Sequence, residues 1–481
     1  MSLSHNKLVL RLWNSPTFNT WLSYSTRTLS LFIILPLILK QFSEGEVALW
    51  YLFATVISLQ SLADMGFRMT FIRVISYAMG GATDIKTFTD NTPVLENGPN
   101  WLLLGKIFHM MKYIYRRLTV LLFLLFLVFG SLSMIRPISL VEKQDAAWIA
   151  WGIIIIISCI KFNGAIYSNF LEGLNKIALV RRWESLTSIG AILTSIIFLL
   201  IFKSLLSLVI ANQFWVLVNF FRDYKLSHNV EEGVFKKLNF NHQFDKTFFM
   251  DIWKPAWRSG LSGFMSNGLS NITSILYAQI GTATNIAAYM LALRLISQIK
   301  DVSMAPFYSK IPSLARLRSQ GKIAELVRSS QKGMFLSNLV FVIGSITVGV
   351  FGDILLRAIN SDVQFIDINL WNLLVVAYFV HRYGAMHIQL YITTNHIISH
   401  VADGISGIIF IVAAVLLMPL IDLYAIPLAM LAGYLGFYSW YAALYSYRSI
   451  KVKFWEFELK AGLIPFSIMV LYFIVINFIY N

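Results

Sequence analysis

The sequence predicts an all-α protein that crosses a membrane many times, and three observations support this prediction. The chain has 481 residues, of which 57% are apolar and only 13% are charged, and its mean hydropathy is +0.67. Soluble domains carry about 45–50% apolar and about 25% charged residues, so this chain lacks the polar residues needed to cover a water-facing surface. Its apolar residues also fall in runs of about 20, the length of a membrane-crossing helix.

The net charge of +15 and the single cysteine narrow the class of protein further. In a soluble protein this charge would suggest nucleic acid, but here Lys and Arg lie mostly between apolar runs, so no nucleic-acid partner is expected. Cys159 stands alone, which excludes an intramolecular disulfide and disfavours a thiolate metal site. The histidines lack zinc-site spacing and no Gly-x4-Gly-Lys-Ser/Thr loop occurs, so we expect neither a metal, a cofactor nor ATP hydrolysis.

Apolar runs predict about 13 membrane spans, with an error of about one. The run at 259–293 is too long for one span and is interpreted as two partial spans around Gly281-Thr282. The others cover 20–40, 46–66, 118–135, 146–168, 185–202, 204–221, 333–352, 369–390, 404–421, 423–447 and 461–481. Pro36 in the first span, and Gly260, Gly263 and Gly268 in the seventh, are candidate bending points, although such residues are also common in packed membrane helices.

Lys and Arg in the short loops set the orientation. With the N-terminus in the cytoplasm, 25 of them fall in inside loops and 5 in outside loops. We therefore predict a multi-pass membrane protein with a cytoplasmic N-terminus. The outside loops are too short to hold an enzymatic domain.

The mixed-charge segment 223–250 predicts a division into two halves. Residues 1–222 form a six-helix N-terminal lobe, residues 223–250 a cytoplasmic linker, residues 251–447 a six-helix C-terminal lobe and residues 448–481 an extra transmembrane helix. Because six is even, the halves would keep their orientation and form a parallel pseudo-repeat, the build of many alternating-access transporters.

Ionisable side chains within the spans suggest the site. A charge at the bilayer centre costs at least ~2.5–3.5 kcal/mol, so it is expected to face a cavity or a partner. Arg suits phosphate oxygens because its planar guanidinium donates bidentately. We therefore predict an anionic, phosphate-bearing substrate, with the substrate-binding candidates Arg27, Arg258, Arg294, Arg382 and Lys161. Asp64, Asp301 and Asp403 are candidates for coupling transport to protons or sodium.

Simple ion pairing is the alternative explanation for several of these charges. Arg68 would pair with Asp64, Lys300 with the adjacent Asp301, and Arg382 with Asp403 from another helix. We favour this explanation for Arg68 and Lys300, which lie near the inner interface and can extend towards water. Arg27, Arg258 and Arg294 have no acid close in sequence, so we favour a role in binding for these three.

Four segments carry a family resemblance. They are 62–73 (LADMGFRMTFIR), 171–176 (LEGLNK), 253–260 (WKPAWRSG) and 288–295 (AYMLALRL). They resemble the bacterial polysaccharide exporters of the multidrug/oligosaccharidyl-lipid/polysaccharide (MOP) superfamily, in particular the O-antigen flippase group. The resemblance covers most of 20–447, but 13 spans and the long loop at 80–105 depart from it.

The resemblance implies a V-shaped pair of six-helix bundles with a cationic central cavity. It implies that a polyprenyl-diphosphate-linked oligosaccharide, an O-antigen-like repeat unit, is flipped to the outer leaflet for surface polysaccharide synthesis. Expected partners are this lipid-linked substrate, membrane lipids and the polysaccharide polymerisation machinery. Two rival functions are an ion-coupled small-molecule antiporter of the same superfamily and a membrane-embedded glycan polymerase or ligase. The net cationic set disfavours the first, and the short outside loops disfavour the second.

Overall fold

The computed structural model describes residues 16–85, 99–230, 244–265, 281–308, 322–394 and 398–480, with Trp13 and short stretches between these ranges. Helices make up most of these ranges, and no extended strand occurs in them. The all-helical prediction is therefore confirmed. The chain forms two compact units that divide after Gly263.

The first unit contains ten helices among the described residues. They are α1 (Pro16–Gln41), α2 (Glu44–Ser58), α3 (Gln60–Ala63), α4 (Phe67–Met79), α5 (Trp101–Leu125), α6 (Ser131–Ser139), α7 (Gln144–Gly173), α8 (Ile177–Phe202), α9 (Leu205–Asn229) and α10 (Lys246–Gly263). A π-helical turn, Phe126–Gly130, joins α5 to α6. Pro36 lies inside α1 without ending it.

The second unit contains eight helices in its described part. They are α11 (Ala283–Tyr308), α12 (Ile323–Ala358), α13 (Ile368–Ile392), α14 (Ser399–Ile421), α15 (Ala425–Gly433), α16 (Ser439–Ile450), α17 (Phe454–Ala461) and α18 (Leu463–Tyr480). The predicted break at Gly281-Thr282 is present, because α11 begins directly after it and the Thr282 hydroxyl accepts a hydrogen bond from the Asn285 N–H at 3.3 Å.

Six helical stretches among the described residues are long and apolar enough to cross a membrane, or seven if α17 and α18 count as one bent span. The longest covers Ser399–Ile450 and coincides with two predicted spans. It reverses direction at Asp422 (φ 46°), and Gly433 then packs so closely on α14 that a Cβ there would lie 2.6 Å from the Ser406 carbonyl oxygen. The predicted spans 20–40, 46–66 and 369–390 are helical over most of their length but are not among these six stretches, and a break at Leu59 divides the second of them.

The unit boundary lies later than the linker expected at 223–250. Helix α10, interpreted from sequence as the start of the C-terminal lobe, belongs to the first unit. Gly260 permits this packing, since a Cβ at that position would meet the Met65 backbone at 2.7 Å. Trp253 packs on Phe67, with ring centroids 5.6 Å apart.

The trailing segment 448–481 also groups differently from the expectation. It is part of the second unit, where α17 and α18 pack on α12. Asn338 of α12 donates a hydrogen bond to the Ala461 carbonyl at 3.3 Å. Gly349 leaves room for the Tyr472 hydroxyl, which a Cβ at that position would displace. The segment is therefore an integral part of this unit's packing.

Candidate functional site

Asp64 lies at a break between two helices of the first unit. Met65 and Gly66 adopt positive φ angles of 48° and 75°, which end α3 and allow α4 to start in a new direction. The Asp64 carboxylate accepts a hydrogen bond from the Arg68 backbone N–H at 2.9 Å. It also accepts one from the Tyr115 hydroxyl of α5. A carboxylate at the start of a helix is stabilised by the free N–H groups there.

Tyr115 extends this arrangement to α7. Its hydroxyl accepts a hydrogen bond from the Asn169 amide at 2.9 Å, and both side chains are buried. The candidate coupling residue Asp64 thus belongs to a three-residue polar cluster, Asp64–Tyr115–Asn169. The sequence offered one signal for Asn169, which is an uncharged polar residue near the end of a long apolar run.

Arg68 does not pair with the Asp64 side chain in the way expected from their spacing. Its guanidinium donates to both carboxylate oxygens of Glu172 on α7, at 2.8 and 3.0 Å. Arg181 of α8 lies 3.6 Å from Glu172 and donates to Glu184 at 2.8 Å. These four residues form an alternating chain of charges, which we call the Arg68–Glu184 ion network.

Arg258 and Lys161 are both exposed on helices of the first unit. In α10 the buried positions Phe248, Ile252 and Ala256 recur every four residues and place Arg258 on another face. Among the residues that the structure describes, no carboxylate lies within ion-pairing distance of Arg258. Arg27 lies in α1, and its side chain is outside the described residues.

Arg382 of the second unit is completely buried. Its guanidinium donates to the Ser337 carbonyl at 2.8 Å, to the Ser303 carbonyl at 3.4 Å and to the Asn338 side chain at 3.3 Å. It also lies over the Phe341 ring, 4.5 Å from the ring centroid. Backbone dipoles and a ring face thus stabilise this cation. The arrangement links three helices and gives Arg382 a structural position, away from any exposed surface.

Arg294 of α11 is exposed, while its neighbours in the helix, Leu291 and Ile296, are buried. No described acidic side chain forms an ion pair with it. Lys300 lies 3.6 Å from the exposed Asp301, the neighbour expected as its partner. Asp403 is buried on α14.

The structure therefore sorts the predicted site residues into different environments. Arg258 and Arg294 remain exposed and without a described acidic partner, Arg382 is enclosed, and Asp64 joins a polar cluster. Glu172, Tyr115 and Asn169 were not among the predicted site residues. No group of three or more His, Cys, Asp or Glu suited to a metal occurs in the part of the chain that the structure describes.

The fold is similar to that of solved membrane transporters. An inward-facing MATE family multidrug resistance transporter of the MOP superfamily has a TM-score of 0.65 at 12% identity, over 88% of this chain and 94% of that chain. The lipid II flippase MurJ, in an inward closed conformation, has a TM-score of 0.63 at 13% identity, over 96% and 98%. The MATE multidrug transporter DinF-BH has a TM-score of 0.61 at 13% identity, over 92% and 97%.

At these identities the likeness establishes the fold. The chain has the all-helical, multi-pass architecture of these transporters, including that of the lipid II flippase MurJ. No protein-family model and no curated protein sequence matches the chain.

Proposed function

We propose that this protein is a flippase that moves a polyprenyl-diphosphate-linked oligosaccharide from the cytoplasmic to the outer leaflet of the bacterial inner membrane. The observation that carries the proposal is the state of Arg258 and Arg294, which lie exposed on helices of a transporter fold without a described acidic partner. Guanidinium groups of this kind are suited to a diphosphate, whose oxygens accept paired hydrogen bonds.

The fold likeness supports the same proposal. MurJ is described as a lipid II flippase, and its structure matches nearly the whole of both chains. In this proposal the chain has about 13 spans in two pseudo-equivalent sets and a cytoplasmic N-terminus, as the loop charges predict. The substrate is an O-antigen-like repeat unit destined for the polysaccharide polymerisation machinery.

The membrane potential favours export of such an anion. An interior-negative potential contributes about 2.3 kcal/mol per charge per 100 mV, or about 4–5 kcal/mol for two diphosphate charges. Further coupling to protons or sodium would use Asp64, Asp301 or Asp403. Of these, Asp64 has the Tyr115 and Arg68 contacts through which protonation could alter a helix break.

The test is the leaflet in which lipid-linked oligosaccharide accumulates in cells that lack the protein. Accumulation in the inner leaflet supports a flippase. Accumulation of unpolymerised units in the outer leaflet would instead indicate a glycan polymerase or ligase. Complementation with Arg294→Ala should fail at normal protein levels, whereas Arg357→Ala, an exposed arginine paired with Asp353 at 2.6 Å, should restore export.

A small-molecule antiporter is the second candidate function, favoured by the likeness to the MATE transporters. It predicts that cells expressing the protein extrude a cationic dye faster than cells without it. It also predicts that the distribution of lipid-linked oligosaccharide between leaflets is unchanged in the deletion strain. The same two strains therefore distinguish the two candidates.

A further inference from the structure

The segment 451–460 connects α16 to α18 through a helix that is too short to cross a membrane. Helix α17 has eight residues and meets α18 at an angle of 62°. Lys451 adopts a left-handed conformation (φ 54°) that ends α16 and redirects the chain into this segment. The loop at 448–460 is one of those that the positive-inside rule assigns to the cytoplasm.

One side of α17 is fixed to the rest of the second unit. Phe457 and Ala461, one helical turn apart, are both fully buried. Gln331 donates a hydrogen bond to the Glu456 carbonyl at 3.1 Å. The Glu458 carboxylate accepts one from the Tyr447 hydroxyl at 2.7 Å and lies 3.4 Å from the His387 ring. These contacts fix which face of α17 is exposed.

The opposite side of α17 carries exposed apolar side chains, and exposed lysines lie near both ends of the helix. Trp455 is 70% exposed and Leu459, four residues later, is 53% exposed. Lys451, Lys453 and Lys460 are exposed as well, and none forms an ion pair with a described residue. Glu456 is the one exposed acid of the segment, because Glu458 turns inward.

Exposed apolar residues next to unpaired cations are the features of a helix that lies in a membrane interface. Tryptophan prefers the depth of the lipid head groups. Acidic phospholipids of the cytoplasmic leaflet attract lysines near the surface, and each lysine strengthens the association about fivefold. The lysines and the exposed apolar residues of this segment therefore both favour a lipid with an acidic head group as the ligand.

We propose that residues 451–460 form a binding site for acidic phospholipids. Lys451, Lys453 and Lys460 attract the phosphate head groups, and Trp455 and Leu459 insert among the upper acyl chains. The site is separate from the transport function proposed above and does not depend on it. Residues of α12, α13 and α16 contact α17 through hydrogen bonds and the His387–Glu458 pair. A lipid bound to α17 therefore stabilises the packing of this unit.

The test is titration of the purified full-length protein, in uncharged detergent, with phosphatidylglycerol or phosphatidylcholine. Native mass spectrometry gives the apparent Kd for each lipid. We expect wild type to prefer phosphatidylglycerol, and K451Q/K453Q/K460Q to bind it at least tenfold more weakly. The matched control R136Q/K143Q/K203Q removes three exposed cations from predicted outside loops and should stay within twofold of wild type.

A second variant separates lipid from simple anion binding. W455A should weaken binding of phosphatidylglycerol several-fold and leave binding of inorganic phosphate unchanged. If the triple variant fails to fold, K453Q and K460Q singly should each weaken binding about fivefold. Equal affinity of wild type for the two lipids would overturn the proposal. So would an unchanged Kd in the lysine variants, or an equal loss in the control.

Discussion

Arg181 in the first unit and Arg382 in the second are both largely buried, yet they are stabilised in different ways. Arg181 lies between the carboxylates of Glu172 and Glu184. Arg382 has carbonyl oxygens, an amide oxygen and a ring face around it. The attraction between opposite charges offsets the free-energy cost of removing them from water only when every charged side chain remains paired. The stability of the first unit should therefore depend on both Glu172 and Glu184. The stability of the second unit should depend on Arg382 itself.

The exposed cations contrast with both. Arg258 lies in the first unit and Arg294 in the second, outside the ion network and apart from the surroundings of Arg382. An exposed cation without a described acidic partner is available to a ligand. The comparison thus separates the arginines that stabilise packing within each unit from those proposed to bind substrate.

The largest expected effect is that of Arg382→Ala. The substitution leaves a large cavity and removes the donors that join three helices, so we expect a loss of about 3–5 kcal/mol in the free energy of unfolding. Chemical denaturation in detergent micelles measures it. The control Arg357→Ala changes an exposed arginine and should cost under about 0.5 kcal/mol. A loss below about 1 kcal/mol for Arg382→Ala would show that the hydrogen bonds of the Arg382 guanidinium are not essential for stability.

Glu172→Gln should break the ion network of the first unit. It removes the acid shared by Arg68 and Arg181, but Arg68 is half-exposed and can be hydrated, so we expect a loss of about 1–3 kcal/mol. The same denaturation assay applies. Glu325→Gln, which affects an exposed pair with Lys322 at 4.0 Å, should cost under about 0.5 kcal/mol. Equal effects of the two variants would remove the distinction between buried and exposed pairs.

Gly260→Ala tests the position of α10 in the first unit. The added methyl group would lie 2.7 Å from the Met65 backbone, which cannot shift without moving the helix break, so we expect a loss of about 1–2 kcal/mol. At Gly263 nothing lies within 4 Å of the same atom. Gly263→Ala should be neutral or stabilise by about 0.5–1 kcal/mol. Melting temperatures of the two variants provide the comparison, and a reversed order would contradict this packing.

The smallest effect concerns pH and the contact that ties α10 to α5. The hydrogen bond from Lys106 to Asp245, at 2.7 Å, lowers the pKa of Asp245 below its ordinary value of 3.8. A lowered pKa contributes stability above the unfolded-state pKa, and this stability is lost as the pH falls through the folded-state pKa. Asp245→Asn should therefore lower the melting temperature slightly at pH 7, and this deficit should shrink as the pH falls below 3.8. A deficit that persists in acid would point to another cause.

The sequence was sufficient for the fold class because membrane helices are defined by local apolar runs. The break at Gly281-Thr282 and the division at residue 422 between the predicted spans 404–421 and 423–447 followed from length and composition alone. The ion network was not predictable in this way, since Arg68 and Glu172 are 104 residues apart. The hydrogen-bond partners of Arg382 could not be predicted from the sequence either, because its main acceptors are backbone carbonyls, which every residue supplies. The grouping of α10 depended on the close approach of Gly260 to Met65.

The most direct measurement of the central claim uses the purified protein in vesicles that contain a fluorescent polyprenyl-diphosphate sugar. Wild type should move this lipid between leaflets faster than the corresponding monophosphate, because paired guanidinium bonds suit a diphosphate. Arg258→Gln and Arg294→Gln should each reduce the rate at least tenfold, and Arg357→Gln should not. If both glutamine variants move the diphosphate lipid at the wild-type rate, the two exposed arginines do not bind the substrate, and the proposal is wrong.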